Sequence, residues 1–226
     1  MTNEKFMKQV PLFQTLPSAD MKKLCSALRT QMIKKGEVLF QKDSEGTALY
    51  IIKEGSIKIV LPSPSGDEVI LAIFSRGDFF GEMALLDGMP RSADAVAVGS
   101  CELLVLDRSD FLSFLTSNKN VIQCVLSSLS MRLRKTDDHL EDTCFLQISE
   151  RFAKRLVELA EDHGQPDGNT ILINLDLKQR DLASMVGATR ESINKELRFL
   201  REKGLISMVG KKIRIFNLEL LKRRIS

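Results

Sequence analysis

The run Phe80-Gly81-Glu82-Met83-Ala84-Leu85-Leu86-Asp87-Gly88-Met89-Pro90-Arg91-Ser92-Ala93 sets a carboxylate and a guanidinium at the two ends of one short loop. Glu82 can accept hydrogen bonds from a ribose hydroxyl, and Arg91 offers a planar fork of donors to a phosphate. Gly81 lets the backbone approach a ligand closely. Ser92 and the amides around it complete an anion cradle. Such residues at such spacing suit a molecule in which ribose and phosphate lie side by side, as in a cyclic nucleotide. The same residues also read as a plain ion pair, Glu82 with Arg91 across a tight turn, with Gly88-Met89-Pro90 an ordinary loop.

A second group of polar residues gathers near the C-terminus. Leu177 to Lys203 has a helix-turn-helix pattern: Gln179 to Val186 as a first helix, Gly187-Ala188-Thr189 as the turn and Arg190 to Glu202 as the second helix. Leu182, Met185 and Val186 supply one inner face, and Ile193, Leu197 and Leu200 the other. Thr189 caps the second helix, so Arg190 and Glu191 stand in its first turn, away from the apolar stripe. In a major groove Arg190 can grip guanine, Glu191 can accept from a cytosine amine and Lys195 can reach a base or phosphate. Lys178, Thr189 and Ser192 are candidates for phosphate contact. Leu205 to Val209 and Ile213 to Phe216 read as two strands of a wing turned at Gly210-Lys211-Lys212, which puts Lys211 and Lys212 at its tip. Without the turn and the wing, Arg190 and Glu191 read as ordinary solvated charges.

Two kinds of element must hold these groups. Residues 31 to 107 read as short strands broken at Lys34-Lys35-Gly36-Glu37, Asp43 to Gly46, Glu54-Gly55-Ser56, Ser65-Gly66-Asp67 and Arg76-Gly77-Asp78, a β-roll. Ile57, Ile59 and Leu61 alternate, whereas Val69 to Phe74 and Leu103 to Leu106 are expected to be buried strands. From Asn118 to about Phe145 the chain lacks Gly and Pro, and Ile122, Leu126, Leu129, Leu133, Thr136, Leu140 and Thr143 follow alternating steps of four and three. That is a heptad seam, which needs a partner helix, and a twofold homodimer through this helix is expected.

A chain of 226 residues is long enough for two modest domains. Residues 147–226 hold 16 Lys and Arg against 11 Asp and Glu, the remainder 17 against 19, so the net charge of +3 comes from a basic C-terminal third suited to a polyanion. There is no apolar run of membrane-spanning length and Met1 to Val10 is polar, so the cytoplasm is the expected location, with no membrane partner. Cys25, Cys101, Cys124 and Cys144 are widely spaced and form no metal or disulfide pattern; buried reduced thiols are expected, and no metal. His139, on an expected helix, and His163, beside an expected loop at Gly164 to Gly168, read as solvent-facing or local polar residues. No nucleophile with its base, metal cluster or acid-base dyad is visible, which argues against an enzyme.

At Phe80, Gly81, Glu82, Ala84, Leu85, Arg91, Ser92 and Ala93, and again at Gly187 to Lys195, the chain resembles the cyclic-AMP receptor protein/FNR family of bacterial transcription regulators. The resemblance runs from near Leu12 to the wing. It implies an α+β fold: a cyclic-nucleotide-binding β-roll over 1–117, a dimerisation helix over 118–146 and a winged helix-turn-helix over 147–226. It implies a ligand site of Gly81, Glu82, Met83, Arg91, Ser92 and Ala93 that binds cyclic AMP as an allosteric ligand. It also implies DNA with palindromic TGTGA-like half-sites and RNA polymerase as partners. Thr136 matches the family position that meets the adenine base, although a small polar residue in a seam can also bond its own helix. Asp137 departs from the Ser or Asn of relatives; a carboxylate accepts from an exocyclic amine and cannot donate, so the acceptor capacity of both residues favours adenine while cyclic GMP or another purine cyclic nucleotide stays open. The clustered-cysteine iron–sulfur and histidine–haem patterns of some relatives are absent. Alternatives are the same fold working without nucleotide, constitutive or redox-sensing, and a nucleotide-binding module of a kinase or channel, which would not touch DNA.

Overall fold

The structure, a computed structural model, describes residues 2–64 and 66–225. Ser65, in one of the expected turns, lies outside the described residues. In chain order the elements are α1 (Asn3–Met7), α2 (Ser18–Ala27), β1 (Arg29–Ile33), β2 (Val38–Phe40), β3 (Ala48–Glu54), β4 (Ser56–Pro62), β5 (Glu68–Ser75), β6 (Phe79–Phe80), α3 (Met83–Asp87), β7 (Asp94–Ala97), β8 (Cys101–Asp107), α4 (Arg108–Ser117) and α5 (Lys119–Phe145). There follow α6 (Ile148–His163), β9 (Gly164–Asp167), β10 (Thr170–Ile173), α7 (Gln179–Val186), α8 (Arg190–Glu202), β11 (Ile206–Val209), β12 (Lys212–Ile215) and α9 (Leu218–Lys222). Compactness divides them into two units, Met1–Leu61 with Ala72–Lys135, and Pro62–Leu71 with Thr136–Ser226.

The first unit is the roll. One sheet has the order β1-β8-β3-β6 and the other β2-β7-β4-β5. Period-two alternation sends neighbouring residues of β3 and β8 to opposite sides. Leu49, Ile51, Leu104 and Leu106 pack with Phe6, Phe13, Leu24, Phe111, Val121 and Val125, whereas Ile52, Leu103 and Cys101 meet Ile57, Phe80, Ala95 and Ala97. The strand expected at Val69 to Phe74 forms within β5, but only Ile70 of it is buried. As an edge strand of its sheet, β5 lacks a neighbour to cover it.

Helix α5 presents two apolar faces. Val121 and Val125 are buried in the roll's core, with half-buried Cys124 and Leu129 against it, while Ile122, Leu126, Leu133 and Leu140 are exposed. Residues at heptad spacing thus stay uncovered on a helix whose other side is already packed.

In the second unit α6 buries Phe152, Ala153, Leu156 and Leu159, and a four-stranded sheet has the order β11-β12-β10-β9. The segment expected as a loop at Gly164 to Gly168 is instead strand β9, paired Asp167 to Thr170 and Gly164 to Ile173 with β10. Backbone pairing carries this strand, since Gln165, Pro166 and Asp167 bury no apolar face.

Candidate functional site

Arg91 is 3% exposed and Glu82 1%. They do not pair with each other. Arg91 donates from Nη1 to the Gly81 carbonyl at 2.7 Å and from Nη2 to the Ala48 carbonyl at 2.8 Å. Its backbone is clamped as well: Asp43 N–H donates to the Arg91 carbonyl and Arg91 N–H to the Ser44 carbonyl, each at 2.8 Å. Asp43 adopts φ 66°, a left-handed conformation that an L-residue enters at a cost. Gly81 has φ 85°, and a Cβ there would stand 2.6 Å from Arg91 Nη1, so only glycine permits this packing. Burial pulls the Arg91 pKa down, while Tyr50 and Glu82 oppose that pull.

The partner of Glu82 comes from α5. Arg132 Nη1 donates to Glu82 Oε1 at 2.7 Å, and Nη2 donates to the Phe79 carbonyl. Neither the loop motif nor the heptad pointed to Arg132, because an arginine between seam positions normally reads as a solvated charge. An aromatic cluster spans the space between the cations. Arg91 lies over Phe40 and Tyr50, and Arg132 over Phe74 and Phe79. Phe80 stacks on Tyr50 and Phe74, with centroids 5.4 and 6.2 Å away. In this site Glu82 Oε2, an acceptor, and Arg91 Nε, a donor, keep no hydrogen-bond partner; elsewhere among the described residues the buried Arg155 Nε, Arg224 Nε and Asn194 Oδ1 do likewise. An unpaired acceptor and an unpaired donor in one site can each form one more hydrogen bond, the acceptor with a hydroxyl and the donor with an anionic oxygen.

Gly81, Glu82 and Arg91 therefore come together as one site. Ser92 is exposed and its Oγ donates to Met83 Sδ at 3.8 Å; Ala93 is buried beside it. Thr136 and Asp137 are exposed on α5, Thr136 one turn beyond Arg132 on the same helix.

The helix-turn-helix forms with the expected bounds, and Thr189 Oγ1 accepts from Ser192 N–H at 3.2 Å to cap α8. Gly187 ends α7 at φ 61°, the left-handed step that turns the chain. The Lys178 N–H donates to Asp181 Oδ2 at 2.8 Å. Lys178, Arg190, Glu191, Lys195 and Lys211 are exposed, and Ser192 is half-buried. Gln179, unmarked by the sequence pattern, accepts from Arg190 Nε at 3.3 Å. Lys212 belongs to β12 rather than the wing tip, and its Nζ donates to Asn174 Oδ1 at 2.5 Å. Arg151 bonds the carbonyls of Val186 and Leu146, tying α6 to the end of α7 and to the close of α5.

His139 is half-buried rather than solvent-facing, and desolvation, helped by Arg155, lowers its pKa from 6.5 to about 4. Only Cys101 is buried; Cys25 and Cys124 are half-buried and Cys144 is exposed, which corrects the expectation of four buried thiols. Burial pushes the Cys101 thiol up, away from reactive thiolate. Among the described residues no group of three or more His, Cys, Asp or Glu is placed to hold a metal ion, and no helix is long and apolar enough to cross a membrane.

A β-roll that buries a carboxylate and a guanidinium in one site, carried on one chain with a winged helix-turn-helix, has the architecture of a ligand-binding regulator of transcription. Residues 30–118 match the cyclic nucleotide-binding domain and residues 150–224 the Crp-like helix-turn-helix domain. The chain is 31% identical over 221 residues to a CRP-like cAMP-activated global transcriptional regulator of Mycobacterium tuberculosis, covering 98% of this chain and 99% of that one. It is 31% identical over 202 residues to the cyclic AMP receptor protein of Thermus thermophilus, covering 89% and 90%. The structure of the c-di-GMP responsive global regulator CLP of Xanthomonas campestris superposes with a TM-score of 0.74 at 21% identity, over 89% of this chain and all of that one, a likeness of fold. The chain belongs to the cyclic-AMP receptor protein/FNR family of transcription regulators, which bind DNA and are not enzymes.

Proposed function

We propose that this regulator works as a homodimer that binds cyclic AMP in the roll and thereby controls binding to palindromic TGTGA-like sites in the cytoplasm. The unpaired Glu82 Oε2 and Arg91 Nε carry the reading, because a cyclic nucleotide brings a ribose hydroxyl and an anionic phosphate on one rigid ring. Two guanidiniums, Arg91 and Arg132, stand against one carboxylate, Glu82. That balance suits a ligand with one negative charge, such as a cyclic mononucleotide, better than a doubly charged cyclic dinucleotide. Met83, Ser92 and Ala93 line the phosphate, and Thr136 and Asp137 accept from the adenine amine; cyclic GMP is the weaker ligand.

The same reading divides the chain into a roll over 1–117, a dimer helix over 118–146 and a DNA-binding domain over 147–226, with RNA polymerase as a further partner. The exposed heptad residues of α5 support the dimer. Leu133→Asp is its test, since Leu129 also packs on the roll core. A monomer by size measurement is expected, and a persistent dimer would move the interface elsewhere. Arg190, Glu191 and Lys195 read bases, with Lys178, Thr189, Ser192, Lys211 and Lys212 on phosphates, in two major grooves about 34 Å apart.

Calorimetric titration with cyclic AMP, cyclic GMP and cyclic di-GMP, with and without a TGTGA-containing duplex, tests the proposal. Cyclic AMP binding that strengthens DNA affinity, by a coupling of about 1–3 kcal/mol, is expected. Tighter binding of the dinucleotide would overturn the charge argument.

A further inference from the structure

We infer that Phe40 is a positioning residue of the anion site, acting through Arg91. The inference rests on the phosphate role proposed for that arginine. The Arg91 guanidinium carbon lies 4.2 Å from the centroid of the Phe40 ring, over which it sits, and 5.7 Å from that of Tyr50. Guanidinium is weakly hydrated and stacks on aromatic faces, so the ring replaces part of the water lost on burial. Two of its five N–H groups are spent on the Gly81 and Ala48 carbonyls. Those bonds fix two points of a planar group, and the ring against its face fixes the tilt. What remains is an edge containing Nε–H, which has no partner. A phosphodiester oxygen accepts from such an edge only if the plane is held.

The fold holds the ring in turn. Phe40 ends β2 opposite Ala95, beyond a register shift after Val38, and such bulges re-aim a side chain. Its centroid stands 5.7 Å from that of Tyr50 and 6.0 Å from that of Phe80, so neighbouring rings restrict it. An aromatic at the end of a short strand reads in sequence as plain core, yet this one is half-buried and its face is occupied by a cation.

The test compares the full-length protein with Phe40→Leu, which keeps an apolar side chain and removes the ring face, and with Phe40→Tyr, which restores it. Affinity for cyclic AMP is expected to fall about three- to thirtyfold in Phe40→Leu and to recover in Phe40→Tyr, while weak binding of adenosine, which has no phosphate, stays unchanged. Equal losses for cyclic AMP and adenosine would overturn the inference, since general loosening of the roll weakens both. A readout without nucleotide separates this inference from the proposed ligand. The Arg91 Nε–H resonance should carry a ring-current displacement in the parent and in Phe40→Tyr that Phe40→Leu loses. The same resonance position and water-exchange rate in all three proteins would overturn the positioning role whether or not cyclic AMP binds.

Discussion

The pocket of the roll and the face of α8 treat their charges in opposite ways. Glu82 and Arg91 are buried and hydrogen-bonded to their own surroundings, whereas Arg190, Glu191 and Lys195 are exposed, with Gln179 accepting from Arg190 as their one side-chain hydrogen bond among the described residues. A small ligand brings few bonds, so the protein must desolvate and orient its groups beforehand. A DNA duplex brings a row of phosphates, and exposed cations gain by releasing counterions without being fixed first. Damage is therefore felt differently in the two places: one site fails through geometry, the other loses binding increment by increment.

The most severe loss expected is from Arg91→Ala, which removes the bonds to the Gly81 and Ala48 carbonyls and should weaken cyclic nucleotide binding by about 2–5 kcal/mol. Calorimetry reads it, and retained affinity would reduce Arg91 to a packing role. On the open face the loss should be smaller. Arg190→Ala is expected to cost about 1–3 kcal/mol on the preferred duplex and to relax one guanine position, read by binding to a panel of single-base variants. A uniform loss on every duplex would make Arg190 a phosphate contact instead.

His139 lies between these extremes, half-buried on α5. Its folded pKa of about 4 lies below its ordinary 6.5, so the unfolded chain binds the extra proton first. Its contribution to stability is complete above pH 6.5 and is lost as pH falls towards 4. Melting curves of His139→Gln should therefore decline less steeply than those of the parent across that window; parallel curves would mean that the imidazole is solvated. The smallest effect expected is at Asp43. Replacing it with Gly relieves the left-handed strain and should raise stability by up to about 1 kcal/mol in urea unfolding, with nucleotide affinity unchanged. A loss of stability would mean that the aspartate side chain itself supports the loop.

Sequence was most legible where signals are local. Gly187, Thr189 and the apolar spacing of Leu182, Met185, Ile193, Leu197 and Leu200 bound α7 and α8 to the residue, because caps and helical period act within a few positions. The pocket was half legible: Gly81, Glu82 and Arg91 are close in sequence, so their types and spacing declared them. Arg132 and Phe40 belong to the same site but arrive from distant elements, and nothing around either one distinguishes it from a surface arginine or a core aromatic. The strand at Gly164–Asp167 was hidden for a related reason, since its pairing with Thr170–Ile173 is made by backbone rather than by a pattern of side chains.

The unpaired Glu82 Oε2 and Arg91 Nε also bear on how long the molecule stays folded. Each is a buried polar atom that the surrounding packing leaves unpaired, and such an atom costs folding free energy until it is bonded. A compound that bonds both atoms stabilises only the folded state, by about 2.7 kcal/mol at a hundred times its dissociation constant. Heat resistance and survival under protease should therefore rise together with occupancy, and in a cell the supply of ligand would govern how much of the regulator persists.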